Sequence, residues 1–271
     1  SVTTDSIPIP KGLEVKIDVA LSRVSLLDKA QNPVAELKDV KVNGDIRAGS
    51  PITLDMAAKS GGAPLAAKIK IENWTDSAGV LHLDSASLAK NSPKLNASIS
   101  AEELSVALLD AVLAAATGQE SNLQALLGNK LSVHASAAGD YSGGSASLNA
   151  TSPGATVLAK LALNSGTLTL SEPATATLQS AAVQAVLDRH TSPDQMGGLT
   201  ITQAPTATVR IDKLSLKLPT AGLDLRGAAL DASAELDRIA GKLALGEGQP
   251  QSEVEIPAFK FDGKQIISAK E

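Results

Sequence analysis

Apolar residues recur at every second position over long reaches of this chain, and that period governs what it can fold into. In LEVKIDVALSRVSLLD, residues 13–28, and GTLTLSEPATATLQ, residues 166–179, small or aliphatic side chains alternate with polar ones. Successive side chains of an extended strand point to opposite faces, so the period predicts a mainly β protein. Leu168 and Leu170 then share one face, while Thr167 and Thr169 share the other. A sheet built this way is wetted on one side and must cover the other.

The segments AELKDVKVNGDI (35–46), ITLDMAAKSGGAPLAAKIKIENW (52–74), VLHLDSASL (80–88) and KLNASIS (94–100) continue the strand pattern. Asn43-Gly44 predicts a tight hairpin turn, because both residues tolerate positive φ. Ser60-Gly61-Gly62 predicts another. The period changes at Ser100. Ser100-Ala101-Glu102-Glu103 reads as a capping box, and Leu104, Ala107, Leu108, Ala111 and Val112 fall on one helical face. Gly118 is placed to end that helix. A second short helix, NLQALL, stops at Gly128, and a third, SAAVQAVLDRH, starts at Ser180 and stops before Pro193. Strands are predicted between these helices and, after Gly197-Gly198, in LTITQ, ATVRIDKLSLKLP, LDLRGAALDASAELD, IAGKLAL and SEVEIPAFKFDG.

Part of this pattern repeats. GSPITLDMAAKSGG (49–62) aligns with GNKLSVHASAAGDYSGG (128–144), and PKLNASISAEELSVALLDAV (93–112) aligns with PATATLQSAAVQAVLDRH (173–190). Both copies run from strands through a Pro-led strand into a helix, and such units extend one sheet side by side. The expectation is a single elongated β-rich domain over 1–271. Its approximate units are 49–118 and 128–190, with C-terminal strands over 199–263.

Two substantial helices and one short one cannot roof a sheet of roughly 14 strands, and open sheets that large curl or split. A closed barrel, a sandwich and a curled gutter with an apolar guest all remain open. Tyr141, Trp74, Phe259 and Phe261 are the only aromatic residues. A sandwich core draws much of its buried area from rings, so an aliphatic lining leans towards a groove or tube. A tightly closed aliphatic sandwich is the alternative.

Several function classes fall away. The net charge is −5 and the pI about 5.3, with cations dispersed among acids, which disfavours a nucleic-acid surface. Four scattered rings build no stacking platform. The absence of cysteine removes disulfides, thiolate metal sites and Cys nucleophiles. His82, His134 and His190 form no ligand spacing. Gly143-Gly144-Ser145 belongs to a hairpin-like stretch, not a strand-to-helix nucleophile elbow, and phosphate-loop glycine patterns are missing. No enzyme, metal or cofactor is expected. No apolar run approaches the roughly 20 residues that cross a bilayer. The chain opens Ser-Val-Thr-Thr, so a signal or anchor removed with a missing part is expected. The helices carry acids such as Asp110 where membrane-surface helices carry Lys or Arg, which predicts packing on the sheet.

Residues 126–187 and 199–236 resemble the repeating β segments of the bacterial AsmA-like proteins, a group that includes TamB-like members. The likeness lies in the Leu127-Gly128 lead into a strand, the Ser152-Pro153 strand end, the GTLTL strand and the Pro173-led strand entering a helix. The resemblance implies a large curved antiparallel sheet, a groove or elongated barrel-like body, built from a duplicated strand-strand-strand-helix unit with two or three short α-helices. It implies a periplasmic segment of the bacterial cell envelope, kept near a membrane by an anchor or longer chain, that guides lipid or another apolar small molecule. The amino-terminal membrane helix typical of that family is absent from these residues. Expected lining residues are Leu131, Val133, Leu148, Leu161, Leu163, Leu168, Leu170, Val209, Ile211, Leu214 and Leu216. A structural or interaction module with a dry, filled core is the other reading, and a closed lipid-binding tube shares the first mechanism.

Overall fold

The computed structural model describes residues 6–27, 33–82, 92–117, 122–140, 142–190, 199–217, 229–244 and 251–266. The first half contains β1 (Ser6–Pro8), β2 (Glu14–Leu27), β3 (Pro33–Arg47), β4 (Ile52–Ser60), β5 (Ala63–Glu72), β6 (Val80–His82) and β7 (Lys94–Ser105). Helices α1 (Val106–Thr117) and α2 (Leu123–Leu127) follow. Then come β8 (Lys130–Gly139), β9 (Gly143–Thr151), β10 (Ala155–Asn164), β11 (Thr167–Leu178) and α3 (Ser180–His190). The last strands are β12 (Leu199–Gln203), β13 (Ala207–Lys217), β14 (Ala229–Leu236), β15 (Ile239–Leu243), β16 (Ser252–Ile256) and β17 (Phe259–Ile266).

Twelve strands form one open antiparallel sheet in the order β17-β14-β13-β11-β10-β9-β8-β7-β5-β4-β3-β2. β1 pairs with β6, and β12, β15 and β16 form a separate three-stranded sheet. The main sheet is thus a meander in which successive strands pair, interrupted by three excursions, β6, β12 and β15-β16, that contribute to the small sheets. Turn chemistry explains its tight hairpins. Gly61-Gly62 joins β4 to β5 and Ser165-Gly166 joins β10 to β11, with positive φ at both residues of each pair, as twisted two-residue hairpins demand. Pro173 does not end β11. The strand runs on through a shift in register between Thr169 and Ala174 against β13, and such irregularities are where a sheet tolerates proline.

The sheet has fewer strands than the sequence pattern suggests, because β6, β12, β15 and β16 leave it. Two local readings are corrected. Ser100-Ala101-Glu102-Glu103 is no helix start: β7 continues to Ser105, and α1 begins at Val106, whose N–H donates to the Asn129 carbonyl. The ladder to β8 continues there through an irregularity between Ala101 and Leu104, and Glu102 and Glu103 reach across it to His134 (3.0 Å) and Lys130 (2.7 Å). Asn43-Gly44 is no turn either, since both residues lie inside β3. A side chain at Gly44 would press on Ile17 and Leu54 at 3.2–3.3 Å, so glycine lets those neighbours close above it. Leu83–Leu88, Gly118 and the LDLRG segment fall outside the described residues.

Candidate functional site

Register assigns every strand of the main sheet two faces, because directly opposed residues point the same way. One face carries Val15, Ile17 and Val19 of β2, opposite Ile46, Gly44 and Val42 of β3. It continues through Leu54–Ile69, Ile69–Ala97 and Ala97–Ala137. Across the second half it runs through Ala135–Leu148, Leu161–Leu170, Leu168–Leu216 and Val209–Ala234 to Phe261. The face is aliphatic from edge to edge.

The opposite face is polar. Ser136 and Ser147 meet at 2.8 Å, Ser100 and His134 at 3.2 Å, and Lys160 and Glu172 at 2.9 Å. Hydrogen bonding and charge from Lys59 hold the Asp39 carboxyl below its usual range, and Lys70 does the same for Glu72. These groups are exposed and pair with neighbours across or along the strands, an arrangement that stabilises a wetted sheet surface. Among the described residues no cluster of three or more His, Asp or Glu side chains could hold a metal ion.

All eleven expected lining residues fall on the aliphatic face. Leu131, Val133 and Leu148 lie on its β8–β9 portion, and Leu161, Leu163, Leu168 and Leu170 on β10–β11. Val209, Ile211, Leu214 and Leu216 continue it on β13. They do not share one environment, since Leu131 is buried and Leu148 and Val209 are exposed. The earlier half of the face, including Val15, Val19, Ile69, Leu95 and Ile99, was not in the expected set. The alternation in residues 13–28, 52–74 and 94–100 is the signal that finds it.

Three helices gather at one end of this face. Leu108 of α1 closes onto Ala101 and Leu104 of β7, with Leu65 and Leu37 from neighbouring strands. Asp110 of α1 accepts from the Leu123 and Gln124 N–H groups at 2.8 and 3.2 Å, tethering the start of α2. α2 in turn touches α3. Gly154 lies against α2, where an added Cβ would collide with the Leu126 carbonyl oxygen. Only a residue without a side chain permits that approach. Ala155, Ala174 and Leu131 are buried as well.

The rest of the face is uncovered among the described residues. Val15, Val19, Ile69, Leu95, Ile99, Leu148, Val209, Leu230, Phe259 and Phe261 are all exposed, Phe261 at 69%. At the end away from the helices, Leu95, Ala137, Ala146, Leu161, Leu163 and Leu168 line a solvent-open depression of about 380 Å³. Its floor is the Gly139–Gly144 pair.

Among the described residues no helix is long and apolar enough to cross a membrane. The fold is a mostly β, open-sheet body of the kind that serves as a structural or interaction module. No protein-family model, curated protein or solved structure matches the chain.

Proposed function

We propose that this chain is a non-enzymatic β module of the bacterial cell envelope whose aliphatic face receives lipid acyl chains, a periplasmic segment of the AsmA-like and TamB-like kind. The observation that supports it is the uncovered face itself. Twelve strands at about 4.8 Å spacing span roughly 50 Å, and the side chains they present are almost all Leu, Ile, Val or Ala. Exposed apolar patches on monomers rarely exceed a few hundred Å², and larger ones mark interaction surfaces. Hydrocarbon suits a surface with few donors or acceptors, since its burial is non-directional and contributes about 0.8 kcal/mol per methylene. The depression over Gly139 and Gly144 falls in the volume range of small-molecule sites, and the helix-covered end gives the face a stop.

A second reading is a face that docks a protein partner. It draws support from Phe259 and Phe261, the chain's only phenylalanines, both exposed on edge strand β17, because aromatic residues are enriched at protein interfaces.

Displacement of a fluorescent fatty acid separates the two. The protein should take up the probe, and a carboxylate at Ile99 and Leu148 (Ile99→Asp with Leu148→Asp) should weaken uptake at least about tenfold. The denaturation midpoint should stay nearly unchanged, since both positions are already exposed. Native mass spectrometry of protein taken from cells should show bound phospholipid. A delipidated sample that is stable, monomeric and indifferent to the probe would overturn the lipid reading and leave the protein-docking one.

A further inference from the structure

The two edges of the main sheet, β2 and β17, are unpaired on their outer sides among the described residues. We propose that β17 of one copy of this chain pairs antiparallel with β2 of a second copy, joining molecules head to tail into a longer sheet. Four independent features of the edges agree on this.

The first is direction. Twelve strands joined by eleven antiparallel steps leave β2 and β17 running oppositely. A copy added edge to edge in the same orientation therefore continues the antiparallel alternation and keeps both aliphatic faces on the same side.

The second is the phase of the backbone groups, which alternate between the two sides of a strand. The Leu13 carbonyl accepts from the Ala48 N–H, so odd residues in this part of β2 address β3. Glu14, Lys16 and Asp18 therefore aim their N–H and C=O groups outward. At the far edge, the Thr206 carbonyl accepts from the Asp237 N–H, so odd residues of β14 address β13 and even ones address β17. Leu236 and Ala234 oppose Phe259 and Phe261, which leaves Lys260, Asp262 and Lys264 aimed outward. Those two outward sets must meet if the edges join.

The third is charge. Set in register, Glu14 faces Lys264, Lys16 faces Asp262, and Asp18 faces Lys260. The signs already alternate inward from each edge: Lys264 pairs with Asp231 at 3.3 Å, and Arg47 pairs with Glu14 at 3.2 Å. The junction completes the row Asp231, Lys264, Glu14, Arg47 without a break. A shift of two residues one way sets Asp262 against Asp18 and Lys264 against Lys16. The other way sets Lys260 against Lys16 and Asp262 against Glu14. A shift of one turns the apolar face over. Charges that merely guard an edge repel across it, whereas these attract in one register and repel in its neighbours. The fourth feature is apolar: the same register sets Phe261 against Ile17 and Phe259 against Val19.

Such a contact is heterologous and need not close on a dimer. Sedimentation velocity of the delipidated full chain should show association that grows with concentration beyond two copies. Reversing one edge (Glu14→Lys, Lys16→Glu, Asp18→Lys) should weaken it at least about tenfold. Reversing the other edge as well (Lys260→Glu, Asp262→Lys, Lys264→Glu) should restore it. The chain has no cysteine, so register can be read directly. Ile17→Cys mixed with Phe261→Cys should give a disulfide-linked pair on oxidation, and Val15→Cys mixed with Phe261→Cys should not. A wild-type chain monomeric at every concentration, a double reversal that fails to restore association, or equal cross-linking at Val15 and Ile17 would each overturn the proposal.

Discussion

Two stretches of one strand show what the helices do. Ala101 and Leu104, near the end of β7, are 1% and 7% exposed, whereas Ile99 and Leu95, on the same aliphatic face, are 48% and 42% exposed. Both stretches present apolar side chains to the same face, with an irregularity between Ala101 and Leu104 that shifts the period by one residue. What differs is α1, which leaves β7 at Val106 and folds back so that Leu108 covers Ala101 and Leu104. The covered end supplies the tertiary packing, and the uncovered stretch is held by its ladders and offers its side chains to something else.

Truncation should separate the two regions most strongly. Leu104→Ala removes a buried side chain beneath α1 and should cost about 3 kcal/mol, within the range for buried Leu-to-Ala changes. Leu148→Ala, on the same face but exposed, should cost about 1 kcal/mol or less. Urea denaturation of both variants checks this, and equal losses would mean that the open stretch is packed after all.

A smaller effect is expected where the covered end depends on a tether. Asp110 is the side chain that caps the start of α2. Replacing it with Ala should cost about 1 kcal/mol, as lost caps do, and hydrogen exchange should quicken over Leu123–Leu127 but not over β9 or β10. Quickening across the whole sheet would show that the helical cover and the open stretch are one cooperative unit.

Much of this contrast was legible before any coordinates. Period-two alternation set the residues of each strand on a common face, but it put Val209 and Ile211 opposite to Leu214 and Leu216, and only the register shift between Ile211 and Lys213 brings those four together. Helices at Leu123–Leu127 and Ser180–His190 were legible from apolar spacing and the stop at Gly128. What local pattern could not carry was competition between structures. Ser100 to Glu103 spells a helix cap, but their long-range partners His134, Ser132 and Lys130 hold them in a strand. Asn43-Gly44 spells a turn, but Ile17 and Leu54 from two other strands need the space above Gly44. Which part of the face lies under α1 was hidden for the same reason. It depends on where a helix lands, and Leu108 alone does not say that its partners are Ala101, Leu65 and Leu37.

The finest distinction between the two ends is electrostatic. At the open end, the turn between β8 and β9 is organised by Asp140, whose carboxylate accepts from the Ser142 hydroxyl (2.6 Å) and from the N–H groups of Ser142 and Gly143. These bonds, with the Ser142 hydroxyl foremost, lower its pKa below the ordinary 3.8. An unfolded chain therefore binds the Asp140 proton at a higher pH than the folded one does. The carboxylate's contribution is present in full above the ordinary value and fades as pH falls through the folded value, so acid should loosen this turn. Asp140→Asn keeps an acceptor oxygen but cannot titrate. Its β8–β9 amides should exchange at a rate whose ratio to wild type narrows as pH drops below about 4, once intrinsic exchange is corrected for. The covered end should show no matching change on this substitution, because Asp110 and its α2 tether are untouched. If α2 amides respond to Asp140→Asn as strongly as the Gly143 turn does, the open and covered ends of the face are coupled, and the uncovered stretch is less independent of its roof than its exposure implies.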